Sequence, residues 1–217
     1  MSPPDDAASP DAVLRGAYER GTEEFSRVVF FSDAVFAIAM TLLVAGIEVP
    51  SARGRSLGDR LLDETGQIVA FFVSFAVIGY YWLAHHRLMS ITQRIDQPFI
   101  ITNLVYLALI AFLPFPTALM GEDPDTAVAV ILYAIVSSLA STLETVLFTL
   151  LRRADALRIR VAPQQNRQWL VASLIPVGVF AASIPISLVS PTWAMLSWIL
   201  IYPLERIADR IAPPLGT

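Results

Sequence analysis

The chain has 217 residues, of which 55% are hydrophobic and only 16% charged, with a mean hydropathy of +0.61. So few polar side chains cannot clothe a soluble surface, and a net charge of −4 offers no basic face to nucleic acid. The absence of cysteine excludes disulfides, thiolate metal sites and a cysteine nucleophile.

Residues 1–26 read as a cytoplasmic tail and lead-in. The start, MSPPDDAASPDAV, is acidic and proline-rich, lacking the basic start and apolar core of a signal peptide. Val13 to Ser26 is expected to form a short amphipathic helix. From residue 27 to 210 the apolar residues fall into blocks of about twenty, the length that crosses a bilayer as helix. The first span, Val28 to Val49, is interrupted only by Ser32, Asp33, Thr41 and Glu48. A carboxylate inside such a run is expensive in hydrocarbon, so Asp33 needs a partner or a task. Glu48 is expected to face water at the interface, the alternative being a charged ring at an outer mouth.

The second span, Gln67 to His85, ends in the cluster Tyr80, Tyr81, Trp82, His85 and His86. The third, Phe99 to Met120, carries Asn103 near its start and Pro114 and Pro116 near its end. The fourth, Thr126 to Leu151, holds Glu144. The fifth, Trp169 to Ile186, contains Pro176 and Pro185, and a turn leads to a shorter sixth, Thr192 to Leu204. Residues 211–217 form a C-terminal tail. The fold class is therefore all-α, an integral membrane bundle of six transmembrane helices.

Six spans put both termini on one side. That side carries twelve arginines, in the tail, loops 2–3 and 4–5 and the C-terminus; the other carries three, all in loop 1–2. The positive-inside rule then makes both termini cytoplasmic; the protein is expected to be a multi-pass protein of the plasma membrane. In this topology Ser32, Asp33, Trp82, His85, Asn103 and Glu144 share the inner half of the bilayer, with Arg27 at its edge. Polar groups there need one another, so they are expected to form one hydrogen-bonded network. Such a network either staples the helices or carries a proton or ion.

The helical period divides span 1 into two faces. Ala34, Ile38, Thr41, Leu42 and Ala45 fall on one stripe, and Asp33 lies about 140° from Ile38. If the stripe faces a cavity, Asp33 points back into the bundle. Arg27 falls on the stripe side, where it lines a cytoplasmic mouth or snorkels to headgroups. Adjacent His85 and His86 point to different faces of a helix and, with Asp96, make no convincing metal set. No nucleophile elbow, phosphate loop, HExxH helix or TVGYG filter is present, so neither an enzyme nor a bound cofactor is expected.

The run from Arg27 through Phe31, Ser32 and Asp33, continuing to Ala37-Ile38 and Thr41-Leu42, resembles the R-x-x-x-F-S-D signature of the TMEM175 family of potassium channels. The aromatic-histidine end of span 2 and Asn103 are similar to the family too, so the resemblance covers about residues 25–210. It implies a K⁺-permeable, leak-type channel without a carbonyl filter. One six-helix repeat per chain implies a homotetramer around a central pore lined by the first helix. Ile38, five positions after the motif aspartate, would form the hydrophobic constriction. Thr41, Leu42 and Ala45 match further pore-facing positions, Ala45 being smaller than the leucine of many bacterial members. Arg27, Phe31, Ser32 and Asp33 would be structural, packing span 1 against its neighbours. Trp82, His85, Asn103 and Glu144 would support them. K⁺ is then present only in transit, with no resident metal, and the partners are the bilayer and other copies of the chain. A different reading of the same polar residues is a proton-coupled transporter that uses Asp33, Glu144 and His85 as a relay.

Overall fold

The computed structural model describes residues 16–47, 56, 58–59, 62, 64–123, 125–159 and 163–211, with 163–168 and 209–211 described by backbone only. The proline-rich start, Glu48, the arginines of loop 1–2 and the last six residues lie outside the described residues.

The chain is helical nearly throughout. Helix α1 is Glu23–Leu42, and a 3₁₀ turn, Leu43–Gly46, extends it. Helix α2 is Thr65–Ile91, α3 Gln97–Phe112, α4 Pro114–Glu122 and α5 Ala127–Arg153. Helix α6 is Pro163–Ser187, α7 Pro191–Ser197 and α8 Ile201–Ile211, with the 3₁₀ turn Trp198–Leu200 joining the last two. Among the described residues, five segments are long and apolar enough to cross a bilayer: Glu23–Gly46, Thr65–Ile91, Gln97–Glu122, Ala127–Arg153 and Trp169–Ser187. The sixth expected span is the composite of α7, the 3₁₀ turn and α8. Pro203 falls in the first turn of α8, where its missing N–H costs no hydrogen bond.

The third span is divided in two. Pro114 opens α4 directly after Leu113, so the chain restarts a helix there. Helix α3 begins cleanly because Asp96 accepts a hydrogen bond from the backbone N–H of Phe99 at 3.0 Å, with Pro98 in the first turn.

Of the expected lead-in helix Val13 to Ser26, residues 13–15 lie outside the described residues, residues 16–22 are not helical, and 23–26 form the start of α1. Gly16 and Gly21 adopt φ of +59° and +97°, outside the helical region. Tyr18–Glu19 forms a short strand, β1, paired antiparallel with β2, Arg94–Ile95, after α2. Helix α1 starts later because Thr22 caps it, its hydroxyl accepting from Phe25 N–H, with Glu23 and Glu24 in the first turn against the helix dipole. The β pair has an arginine clasp. The Arg20 guanidinium donates to the carbonyl oxygens of Met89, Ser90 and Thr92 at 3.0, 3.2 and 3.1 Å, capping the end of α2. Arg94 donates likewise to Ala154 at the end of α5, at 3.1 Å.

Helix α1 packs on α2 and α3, α5 on α3 and α6, and α4 on α2. The core is aromatic, with Phe36, Tyr81, Phe99, Tyr106, Tyr133 and Phe180 fully buried. Gly121 marks the tightest approach: a Cβ there would sit 2.8 Å from the Cα of Gln67, a backbone atom with no room to yield. Gly121→Ala is therefore expected to cost about 1–3 kcal/mol. A lowered melting temperature of the detergent-solubilised protein checks this, and an unchanged one refutes it.

Candidate pore helix and its buried anchor

Helix α1 buries Phe25, Ser32, Phe36 and Ala39, with Leu43 one turn on, as a single stripe. Two polar residues in and beside that stripe tie it to different neighbours. Ser32, 1% exposed, donates to the Val28 carbonyl at 2.9 Å and accepts from Asn103 Nδ2 of α3 at 3.0 Å. Asp33 Oδ1 accepts from the indole N–H of Trp82 on α2 at 2.9 Å. Phe36, one turn on, lies against His85 and Tyr106, with ring centroids 5.7 and 6.1 Å away. Helix α1 is thus held to α2 through Asp33 and to α3 through Ser32, each by one interhelical hydrogen bond over an aromatic contact.

The opposite face is exposed. Ala34, Ile38, Thr41, Leu42 and Ala45 are all exposed, Ile38 to 57% and Leu42 to 49%. The Thr41 hydroxyl donates to the Ile38 carbonyl at 2.8 Å, so its proton is occupied while its oxygen can still accept. Arg27 is exposed on the same face. So is Phe31, at 53%, which sets it apart from the inward-held Ser32 and Asp33 within the chain. The reason is helical phase: seven residues before Ile38 is nearly two full turns, so Phe31 falls within about 20° of the Ile38 line.

The expected single polar network resolves into separate groups. Trp82, Asp33, Ser32 and Asn103 form the anchor just described. His85 is buried beside it, but neither ring nitrogen has a hydrogen-bond partner; the ring stacks on Tyr106 with centroids 5.5 Å apart. Glu144 lies elsewhere, half-buried on α5 and within electrostatic reach of Glu205 of α8 and Tyr80 of α2. Tyr80 donates its hydroxyl to Glu205. Among the described residues, Asp33, His85 and Glu144 are therefore not joined to one another by direct hydrogen bonds. Sequence reasoning missed Glu205 because it stands beyond the apolar core of the sixth span. The available signal was a lone carboxylate just after Pro203 at the depth of Glu144 and Tyr80. Among the described residues no group of His, Asp and Glu is placed to hold a metal ion.

Residues 27–114 match the family model described as endosomal/lysosomal potassium channel TMEM175. That segment contains the exposed stripe, Asp33, Trp82 and Asn103. A protein named as a potassium channel in Streptomyces collinus is 41% identical over 118 residues, covering 52% of this chain and 57% of that protein. The endosomal/lysosomal proton channel TMEM175 of Mus musculus is 25% identical over 127 residues, covering 58% of this chain and 26% of that protein. The matched part thus spans under three fifths of the bacterial relative and about a quarter of the mouse one. Among solved structures, a lysosomal potassium-selective channel TMEM175 homologue from Chamaesiphon minutus superposes with a TM-score of 0.69 at 29% identity, over 89% of this chain and all of that one.

Proposed function

We propose that this chain is a member of the TMEM175 family of ion channels and one subunit of a potassium-permeable, leak-type cation channel, a reading supported by the family-model match over residues 27–114 and by the bacterial and structural relatives. Four copies would surround a central pore lined by α1, with Ile38 as a hydrophobic constriction and no carbonyl filter. The observation that carries the reading is the division of α1. One face is fixed to α2 and α3 through Asp33 and Ser32, while the other leaves Ala34, Ile38, Thr41, Leu42 and Ala45 uncovered. A helix tied down from behind and bare in front is suited to lining a passage between copies.

Ion passage through such a ring follows from hydration. A narrow apolar ring admits an ion only if it sheds part of its water, and K⁺ sheds water more readily than Na⁺, so the preference is for K⁺. Just beyond, the Thr41 oxygen offers a ligand to the partly stripped ion. Arg27 would stand at the cytoplasmic mouth, with both chain termini on that side of the plasma membrane.

The direct test is a planar-bilayer recording of the purified protein with K⁺ on one side and Na⁺ on the other. An ohmic current reversing toward the K⁺ equilibrium potential is expected. Saturable flux that follows a pH gradient and carries no K⁺ current would overturn the channel reading.

A further inference from the structure

The last apolar stretch stops short of a bilayer. From Pro191, where α7 opens, to Arg206 on α8 the chain rises about 23 Å, against a hydrocarbon core of about 30 Å. A guanidinium on the outside of the bundle at that depth stands below the headgroups and needs a counter-charge. The inward side of this stretch is well packed. Trp198 and Ile201 are buried, Glu205 is half-buried and accepts the Tyr80 hydroxyl of α2, and α8 packs on α6.

The outward flank has a different composition. Ile199, Tyr202 and Arg206 follow one another at spacings of three and four, so they stack on one side, and all three are exposed. Leu200 and Leu204, also exposed, widen its apolar part. The Arg206 guanidinium turns back on Tyr202, donating to the phenol oxygen at 3.0 Å, with its central carbon 5.1 Å from the ring centroid. A phenol accepts the N–H but supplies no negative charge. Toward the end of the chain the flank thus presents aliphatic surface, then an aromatic hydroxyl, then a guanidinium. A phospholipid presents the matching order from its tails outward: acyl chain, ester zone, phosphate.

We propose that this flank is a binding site for an anionic phospholipid, on the perimeter of the subunit and in the leaflet that faces the C-terminal end of α8. Arg206 donates to a phosphate oxygen, drawing the headgroup down to its own level and closing the mismatch in length. The Tyr202 oxygen already accepts from Arg206, so its proton is free for a second phosphate or ester oxygen. The acyl chains lie along Ile199, Leu200 and Leu204. A zwitterionic lipid sets its own ammonium against its phosphate, so a headgroup of net negative charge is favoured. Arg210 stands one turn further along α8, on the headgroup side. The site rests on the chain's place in a bilayer and not on which ion passes between copies.

The test uses full-length protein in mild detergent, equilibrated with phosphatidylglycerol and an excess of phosphatidylcholine. Retained lipid is read by native mass spectrometry, and the melting temperature is read with each lipid added alone. Wild-type protein is expected to retain phosphatidylglycerol preferentially and to gain melting temperature from it more than from phosphatidylcholine. Arg206→Gln is expected to lower retained phosphatidylglycerol about fivefold, the effect of losing one arginine contact, while Arg206→Lys keeps most of it. Tyr202→Phe is expected to lower it about twofold. Arg152→Gln, at an exposed arginine on the end of α5, is expected to leave it unchanged. Equal retention of the two lipids by wild-type protein overturns the proposal, as does undiminished retention in Arg206→Gln. An equal loss in Arg152→Gln assigns the preference to diffuse attraction by the basic rim and overturns it as well. A change of oligomeric state in Arg206→Gln on gel filtration, with lipid retention kept, gives the guanidinium to a carboxylate of a second copy instead. Should Arg206→Gln fail to fold, undiminished retention in Tyr202→Phe overturns the site.

Discussion

Ile38→Ala is expected to raise single-channel conductance about two- to fivefold and to move the K⁺/Na⁺ permeability ratio toward unity. The substitution shortens the side chain to a methyl, so the ring that forces partial dehydration opens. Once an ion keeps its water through the constriction, the difference in dehydration cost between K⁺ and Na⁺ no longer separates them. Ile38 is more than half exposed within the subunit, so folding should change by no more than about 0.5 kcal/mol. The measurement is a bilayer recording in symmetric and then mixed K⁺ and Na⁺. Wild-type conductance and selectivity in a well-assembled variant would remove Ile38 from the constriction. Thr41, the next residue on the line with a free acceptor, would replace it.

Asp33→Ala should behave in the opposite way. It leaves the Trp82 indole N–H without an acceptor inside the bundle and removes the only side-chain hydrogen bond between α1 and α2 found among the described residues. Interhelical hydrogen bonds in membranes contribute about 1–2 kcal/mol at most, and stranding the half-buried indole donor adds to the loss. That is enough to lower folded yield severalfold in a marginally stable protein. Channels that do assemble should conduct nearly as wild type, because Asp33 does not share the exposed face. Asp33→Asn keeps a carbonyl oxygen for Trp82 and should recover most of the yield. Gel-filtration yield and melting temperature read the first effect, and recordings from surviving channels read the second. Normal yield with altered conduction in Asp33→Ala would place the residue at the pore.

Much of this was legible in the sequence, for physical reasons that also mark the limits. The spans could be read because hydrocarbon tolerates so few residue types. The pairing of Ser32 and Asp33 with Asn103 and Trp82 could be anticipated because polar groups at one depth have few other partners. Depth is only one coordinate, however. Glu144 shares a level with Asp33, but its neighbours are Tyr80 and Glu205, and azimuth depends on which helices touch. Phe31 was grouped by its place in a motif, although its helical phase already put it beside Ile38. The lead-in segment has a locally amphipathic pattern, but two glycines with positive φ and a strand partner distant in sequence override it.

The arginine clasp has a mechanical consequence. Arg20 grips three carbonyls at the end of α2, and the strand beside it is stitched to the segment that starts α3. The base of α1 is therefore built into a rigid footing, like a beam clamped at one end. Its other end is a 3₁₀ turn, where Gly46 lies close against Ala118 and Leu43 is buried. Any tilt that changes the bore must pivot near Thr22 and grow with distance along the beam. Leu42 and Ala45 then travel farthest and Phe31 least, so in the proposed pore the calibre at Ile38 would be set by a lever whose fulcrum lies at the clasp.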